Sequence, residues 1–266
     1  MGTILFASDL DNTLLFSHRH RQPGDRCVER LDGEEKGFFT QETLDLLPKA
    51  ARRVSLLPVT TRSMEQYLRI QWPEGAVPRW ALTANGAVLL RDGVMDRDWY
   101  AQSREMVRAY QGELRRVLRF LSNRPEPSTV RSVEGMYVYA ACPGPAEAER
   151  CRLGWDAGSP IRAVVSGRKA YFFPPGVDKG TALRRAVERF RPERVIAAGD
   201  SVIDVPMLRR ADLAQIPDTE LLPRLPRERT RVCGGDRRFP DFVLENVLRY
   251  AASPENTRFF RSKILY

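Results

Sequence analysis

The chain has 266 residues, 42% of them hydrophobic, enough to bury the core of one large domain or two modest ones. No run approaches the roughly 20 apolar residues of a membrane span, and MGTILFASDL lacks the basic start and long apolar centre of a signal peptide. The net charge of +9, from 43 basic against 34 acidic residues, favours phosphorylated metabolites, nucleotides or nucleic acid as partners, with an arginine-rich solvated surface as the bland alternative.

Two histidines, His18 and His20, are too few for a His-rich zinc site or a distant Ser/His triad. The four cysteines (Cys27, Cys142, Cys151, Cys233) form no CxxC pair, which predicts reduced thiols and a cytoplasmic protein.

In chain order, ILFAS predicts a buried strand that delivers Asp9 and Asp11. Residues i and i+2 of an extended segment share a face, so the two carboxylates sit side by side at the strand's carboxyl end, where open α/β sheets place ligands. Such a pair repels itself, and folding alone gains nothing from it. Residues 17–37 are polar and rich in turn formers, and read as a loop or flap. A helix is predicted over 41–51 with Thr40 as its N-cap, a strand over 54–60 ending at Thr60 and Thr61, a short helix over 63–71, and a strand over 80–83 before Asn85 and Gly86.

The texture then changes. Apolar residues at Met106, Val107, Tyr110, Leu114, Val117, Leu118 and Leu121 predict one long helix over 100–121. TVRSV, MYVYAAC, a helix over 145–152, IRAVVS and KAYFF follow. This is an inserted α/β module, set at 88–168 between core segments 1–87 and 169–266. The αβ rhythm then returns: a helix over 179–190, a strand over 195–200, a helix over 205–211, strands over 213–216 and 230–233, and a helix over 241–251. Alternating strands and helices predict an α/β fold, a Rossmann-like parallel sheet with helices on both faces.

Thr60, Lys179, Asp200 and Asp204 each fall at a predicted strand end or in the turn beyond it. In a parallel sheet those ends share one edge, so all converge on Asp9 and Asp11. Four carboxylates in one crevice demand a cation, and oxygen ligands of this kind suit magnesium. Lys179 adds a compact positive charge and a threonine hydroxyl a hydrogen bond. That inventory matches phosphoryl transfer, with an aspartate attacking phosphorus and a second aspartate handling the proton.

The motifs DLDNT, VTTR, the lysine of VDKGTAL, and GDSVID, in this order, resemble those of the haloacid dehalogenase superfamily of phosphatases. The module between the second and third resembles the α/β cap called type IIB. NGAVL before it and FFPPGVDKGTAL after it are similar to the Cof-like and sucrose-phosphate phosphatase branch. The resemblance runs from about residue 4 to 211. It implies a haloacid dehalogenase fold and a Mg2+-dependent phosphatase acting on a small, sugar-phosphate-like metabolite through an aspartyl-phosphate. Asp9 would be the nucleophile and a metal ligand. Asp11 would be the general acid/base, with its backbone carbonyl on the metal. Thr60 and Lys179 would hold the phosphoryl group; Asp200 would ligate Mg2+, and Asp204 would do so directly or through water.

Asn12 replaces the family's usual glycine and tolerates a left-handed turn. Ile203 stands where many relatives have asparagine, which bears on the roles of Asp200 and Asp204. TTR in place of TGR leaves either threonine as the phosphate contact, Thr60 being taken by position. Asn12, Thr61, Arg62, Asn85 and Gly86 are further candidates for substrate or hinge contacts. Arg131, Arg168 and Lys169 are cap residues that either read the substrate or are ordinary surface charges, and His18 and His20 read as exposed loop residues.

The rival functions are a phosphotransferase or phosphomutase of the same fold, and a nucleotide or nucleic-acid 3′-phosphatase. No RNA-binding signature or basic block supports nucleic acid as a partner. A membrane partner is not expected, and the oligomeric state is left open.

Overall fold

The computed structural model describes residues 3–253. Its first element is β1 (Ile4–Ser8), buried at every position. Ile4 and Phe6 enter one apolar cluster while Leu5 and Ala7 enter another, so this strand is covered on both faces. That is why it reads as a continuous apolar run.

The expected loop over 17–37 is instead mostly sheet. β2 (Phe16–Ser17), β3 (Arg26–Leu31) and β4 (Glu34–Phe39) pair antiparallel in the order β2-β4-β3. Asp32 and Gly33 join β3 to β4 with φ of 53° and 80°, the two left-handed positions of a tight hairpin turn whose twist matches its strands.

α1 (Gln41–Ala51) starts where predicted, with the Thr40 hydroxyl accepting from Thr43 N at 2.8 Å. β5 (Ser55–Pro58) and α2 (Met64–Leu68) follow. Ser63 and Gln66 cap α2 reciprocally, each side chain taking the other's backbone N–H. β6 (Trp80–Thr83), β7 (Val88–Arg91) and β8 (Val94–Met95) form a small antiparallel meander, which joins the central sheet through a bridge between Val59 and Leu82.

The long helix expected over 100–121 is broken into α3 (Arg97–Val107) and α4 (Gln111–Ser122), with a 3-10 turn at Arg108–Tyr110 between them. Trp99, Val107 and the Leu114, Val117, Leu121 stripe pack into three different apolar clusters. One straight rod does not reach all three. α4 covers β9 (Thr129–Val133) and β10 (Tyr137–Ala141), and α5 (Pro145–Leu153) packs beside it over β11 (Arg162–Ser166) and β12 (Lys169–Phe173). These four strands form an antiparallel sheet in the order β11-β12-β10-β9. β12 lies one strand past the limit of 168 expected for the inserted module, because its ladders run to β10 and β11. β7 and β8, inside that expected limit, pair with β6 instead.

α6 (Lys179–Phe190), β13 (Arg194–Ala198), α7 (Val205–Leu208), β14 (Leu213–Ile216), β15 (Thr230–Val232) and α8 (Phe239–Ala252) complete the chain as described. The central sheet has the order β15-β14-β13-β1-β5, and all its pairs are parallel. Leu46 and Leu47 of α1 with Val243 and Leu244 of α8 fill one face, and Leu183 of α6 with Met207 and Leu208 of α7 the other. From β1 the chain moves outward to β5 on one side, and later returns to build β13, β14 and β15 on the other. Strand order therefore reverses between β1 and β13, which opens a crevice at their carboxyl ends. No described helix is long and apolar enough to cross a membrane.

Candidate active site

Asp9 follows the last residue of β1, and its N–H donates to Ala198 O of β13 at 2.9 Å, extending the ladder into the crevice. The chain then turns sharply. Asn12 takes φ 60°, and its N–H donates to Leu15 O at 2.7 Å, returning Leu14 and Leu15 to the core. Asp9 is left buried at the crevice floor, while the Asp11 side chain is 47% exposed.

Lys179 opens α6, whose N-cap Asp178 accepts from Thr181 N at 2.9 Å. Its ammonium is 1% exposed and lies 2.6 Å from Asp9 Oδ1 and 2.6 Å from Asp204 Oδ1. A lysine at a helix start opposes the helix dipole, and here two buried carboxylates hold it. The other oxygen of Asp204 accepts from Asp200 N at 3.2 Å, Ser201 N at 2.9 Å and Ser201 Oγ at 2.9 Å. Asp204 is thus the organiser of the 199–204 turn. Gly199 permits it, since a Cβ there would stand 2.4 Å from the Cβ of Asp204. Asp200 receives the Nδ2 of Asn12 at 3.4 Å and the hydroxyl of Thr13 at 3.5 Å.

Oxygens of Asp9, Asp200 and Asp204 all lie within 4.8 Å of one another. Burial raises the Asp9 carboxyl to about 7; Lys179 opposes the rise, and Asp204 and Asp11 add to it. Burial also pushes Asp200 well above the carboxylate range, reinforced by Asp204 and Asp9. Lys179 is raised despite the opposing effect of burial, because Asp204 and Asp9 outweigh it. One ammonium therefore leaves this crevice short of positive charge. The all-oxygen donor set and the unmet charge fit a hard divalent cation.

Arg62 is the connection that the sequence did not reveal. Its Nε and Nη2 donate to the two oxygens of Asp11 at 3.0 and 2.8 Å, and its Nη1 donates to Glu29 Oε2 at 2.9 Å. Glu29, on β3, is buried and also takes Arg69 Nε at 3.3 Å. Partial loss of hydration at the crevice raises the Asp11 carboxyl, but the Arg62 charge and hydrogen bonds outweigh it and hold the group below its ordinary value. Glu29 was hidden because its strand read as a loop; the D-G turn at 32 and 33 is the signal that would have exposed it.

The two threonines separate. Thr60 is fully buried, with its hydroxyl accepting from Arg62 N at 3.1 Å, whereas Thr61 lines the cavity and its carbonyl accepts from the Tyr137 hydroxyl. Asn85 and Gly86 are buried away from the cavity wall. Asn85 Nδ2 donates to Val177 O at 3.2 Å, and Gly86 packs on Ala182. They serve packing between the 84–86 turn and α6. Asn12, His20, Arg168 and Lys169 line the cavity, while His18 and Arg131 do not. Ile203 lines it too, yet is 3% exposed and belongs to the core.

This cavity has a volume of about 1020 Å³. Asp9, Asp11, Lys179 and Asp200 contribute from the central sheet's edge, and the β11–β12 turn from the antiparallel sheet. The arrangement offers a buried carboxylate, a second carboxylate two residues on, a fixed ammonium and an acidic cluster of a kind that could hold a metal ion.

No protein-family model and no curated protein matches the sequence. Solved structures do match the fold. The sucrose-phosphatase of Synechocystis sp. PCC6803, solved with sucrose and phosphate, superposes with a TM-score of 0.60 at 17% identity, covering 94% of this chain and 98% of that one. The C-terminal domain of a C. albicans trehalose-6-phosphate phosphatase gives 0.59 at 14% identity, over 94% and 92% of the two chains. A haloacid dehalogenase-like hydrolase from B. subtilis gives 0.56 at 16% identity, over 92% and 99%. Nearly the whole described chain, inserted sheet included, thus shares its fold with these three proteins.

Proposed function

We propose that this protein is a Mg2+-dependent phosphatase of small, sugar-phosphate-like metabolites. The observation that carries the reading is the convergence of Asp9, Asp200 and Asp204 around Lys179 at the sheet's reversal point, beneath a cavity large enough for a metabolite. The fold shared with sugar-phosphate phosphatases supports the same class.

Asp9 and Asp200 would hold Mg2+, with the Asp11 carbonyl beside them and Asp204 fixing the turn that carries Asp200. Bound there, Mg2+ would neutralise phosphoryl oxygens as charge builds on them. Lys179 supports the same oxygens with a fixed charge and keeps Asp9 oriented. An Asp9 oxygen attacks phosphorus, the bond to the ester oxygen breaks, and Asp11 protonates the departing alcohol. Water then attacks the aspartyl-phosphate while Asp11 takes its proton, releasing phosphate and restoring Asp9. The antiparallel sheet over the cavity acts as the cap, excluding bulk water and admitting small esters but not protein surfaces or duplexes.

Phosphate release across a panel of phosphorylated metabolites, with and without Mg2+, tests this. Mg2+-dependent release is expected. Transfer to a second site on the substrate without release would make the protein a mutase, and no turnover of any ester would refute the reading.

A further inference from the structure

The basic side chains around the cavity exceed what one phosphoryl group uses. Arg19 comes from the 3-10 turn at His18–His20 after β2, Arg168 from the tight turn between β11 and β12, and Arg224 from the 3-10 turn at Leu222–Arg224 after β14. Lys169 adjoins Arg168 on the same wall. Three separate parts of the chain thus bring cations to one enclosure. Among the described residues none of these four side chains has an ion-pair partner. Some exposed arginines elsewhere are paired, as Arg116 is with Glu113, Arg152 with Glu149 and Arg184 with Glu188, and others are not, so what sets these four apart is their shared place on one cavity wall. Among the described residues, the cavity wall offers these cations a single acid, Glu220, beyond the carboxylates on the crevice floor.

Two of the positions are also fixed by the backbone. Ser166 pairs with Lys169 across a two-residue turn, which holds Arg168 at a hairpin tip, and the Arg224 carbonyl accepts from Arg209 Nε at 2.7 Å. We infer that the ester taken by this cavity carries a second anionic group, a carboxylate or another phosphate, seated by Arg19, Arg168 and Arg224. A neutral sugar would leave three guanidinium groups to lose water without compensation as the cavity fills. The planar fork of arginine matches either anion with two parallel hydrogen bonds. This inference rests on the phosphatase reading above and narrows its substrate class.

The test compares kcat/KM for glucose 6-phosphate, 3-phosphoglycerate and fructose 1,6-bisphosphate, with p-nitrophenyl phosphate reporting whether phosphatase chemistry runs at all. At least one doubly anionic ester should exceed glucose 6-phosphate by about tenfold or more. Preference for 3-phosphoglycerate assigns a carboxylate, and preference for the bisphosphate a phosphate. Arg168→Gln and Arg224→Gln should each lower that preference by about tenfold, chiefly through KM. Arg108→Gln, which removes an exposed charge paired with Glu105 outside the cavity, should leave the preference in place. Turnover of p-nitrophenyl phosphate with no preference for a second anion, or a preference unmoved in both cavity variants, overturns the inference. Failure to hydrolyse p-nitrophenyl phosphate or any of the metabolites would instead sink the phosphatase reading, and this inference with it.

Discussion

Arg62 grips Asp11 with two donors at once, Nε to Oδ2 at 3.0 Å and Nη2 to Oδ1 at 2.8 Å. The carboxyl that gives and takes a proton in the proposed mechanism is therefore kept ionised at rest, by an arginine anchored in turn on Glu29. To protonate a departing oxygen, Asp11 has to leave this pair and first take up a proton from solvent. The small sheet that supplies Glu29 thereby sets the resting position of a side chain two elements away.

Glu29→Gln should destabilise the protein by about 3 kcal/mol, because Arg62 and Arg69 then lose their shared buried counter-charge. The Glu29 side chain is only 4% exposed, so water replaces little of that interaction. Urea unfolding at pH 7 measures it. An unchanged midpoint would mean the Arg62–Asp11 pair stands without Glu29.

Asp9→Asn should abolish turnover while preserving the fold. The amide nearly matches the carboxylate in shape but does not attack phosphorus, and a barrier increase of roughly 5 kcal/mol or more is expected. Lys179 keeps its 2.6 Å contact with Asp204, so the floor of the crevice retains a partner for its buried ammonium. Single-turnover assays and a far-UV spectrum check both halves. Near-normal activity would rule out the covalent route.

Chelation with EDTA should silence the enzyme, and Mg2+ should restore it. Ca2+ should be a poor substitute, since it prefers more ligands at longer distances. A readout independent of activity is available in Asp200. Burial, Asp204 and Asp9 raise its carboxyl, so its ionised form opposes folding as pH rises through the folded value. Asp200→Asn should accordingly raise the Tm of the metal-free protein at neutral pH and abolish the further rise that Mg2+ gives the parent protein. Equal Mg2+ stabilisation of both proteins would remove Asp200 from the metal site.

The crevice floor was legible in the sequence because its residues sit at strand ends, and strand ends follow from apolar runs. Asp9 and Asp200 are each one step beyond ILFAS and VIAAG, Asp204 follows Asp200 four residues later, and Lys179 opens α6. What stayed hidden depends on partners distant in sequence. The 17–37 segment alternates charges on strands that are half exposed, so its β pattern has little apolar contrast. The break between α3 and α4 comes from three clusters competing for one apolar stripe, and periodicity within the helix carries no trace of them. Arg62 and Glu29 are 33 residues apart, and only the docking of β3 brings them together.

Gly86→Ala should cost about 3 kcal/mol of stability and impair turnover only secondarily. Gly86 has φ +91°, and a Cβ there would lie 2.1 Å from the Cβ of Ala182 on α6. The helix that presents Lys179 would have to shift. Gly33→Ala, at a comparable φ of +80° with no atom within 4 Å of the added Cβ, separates backbone strain from the clash. Equal costs for the two substitutions would show that contact with α6 contributes nothing.

Thr60 and Thr61 divide two tasks, and their valine variants should tell them apart. The Thr60 hydroxyl accepts from Arg62 N at 3.1 Å, which orients the loop carrying the arginine that holds Asp11, and it keeps an O–H to donate. The resemblance drawn from the sequence would send that proton to a phosphoryl oxygen, although Thr60 itself is buried behind the cavity wall. Thr60→Val therefore removes a loop anchor together with a donor to developing charge, and kcat/KM should fall about a hundredfold or more. Thr60→Ser keeps both hydrogen bonds and should recover most of the loss. Thr61 faces the cavity, but its backbone carbonyl is what the Tyr137 hydroxyl holds, and a valine keeps that bond. Thr61→Val should accordingly cost about tenfold or less, mainly in KM. If the order reverses, with Thr61→Val the crippled enzyme and Thr60→Val nearly intact, the phosphoryl contact belongs to Thr61, and burial of Thr60 is the reason.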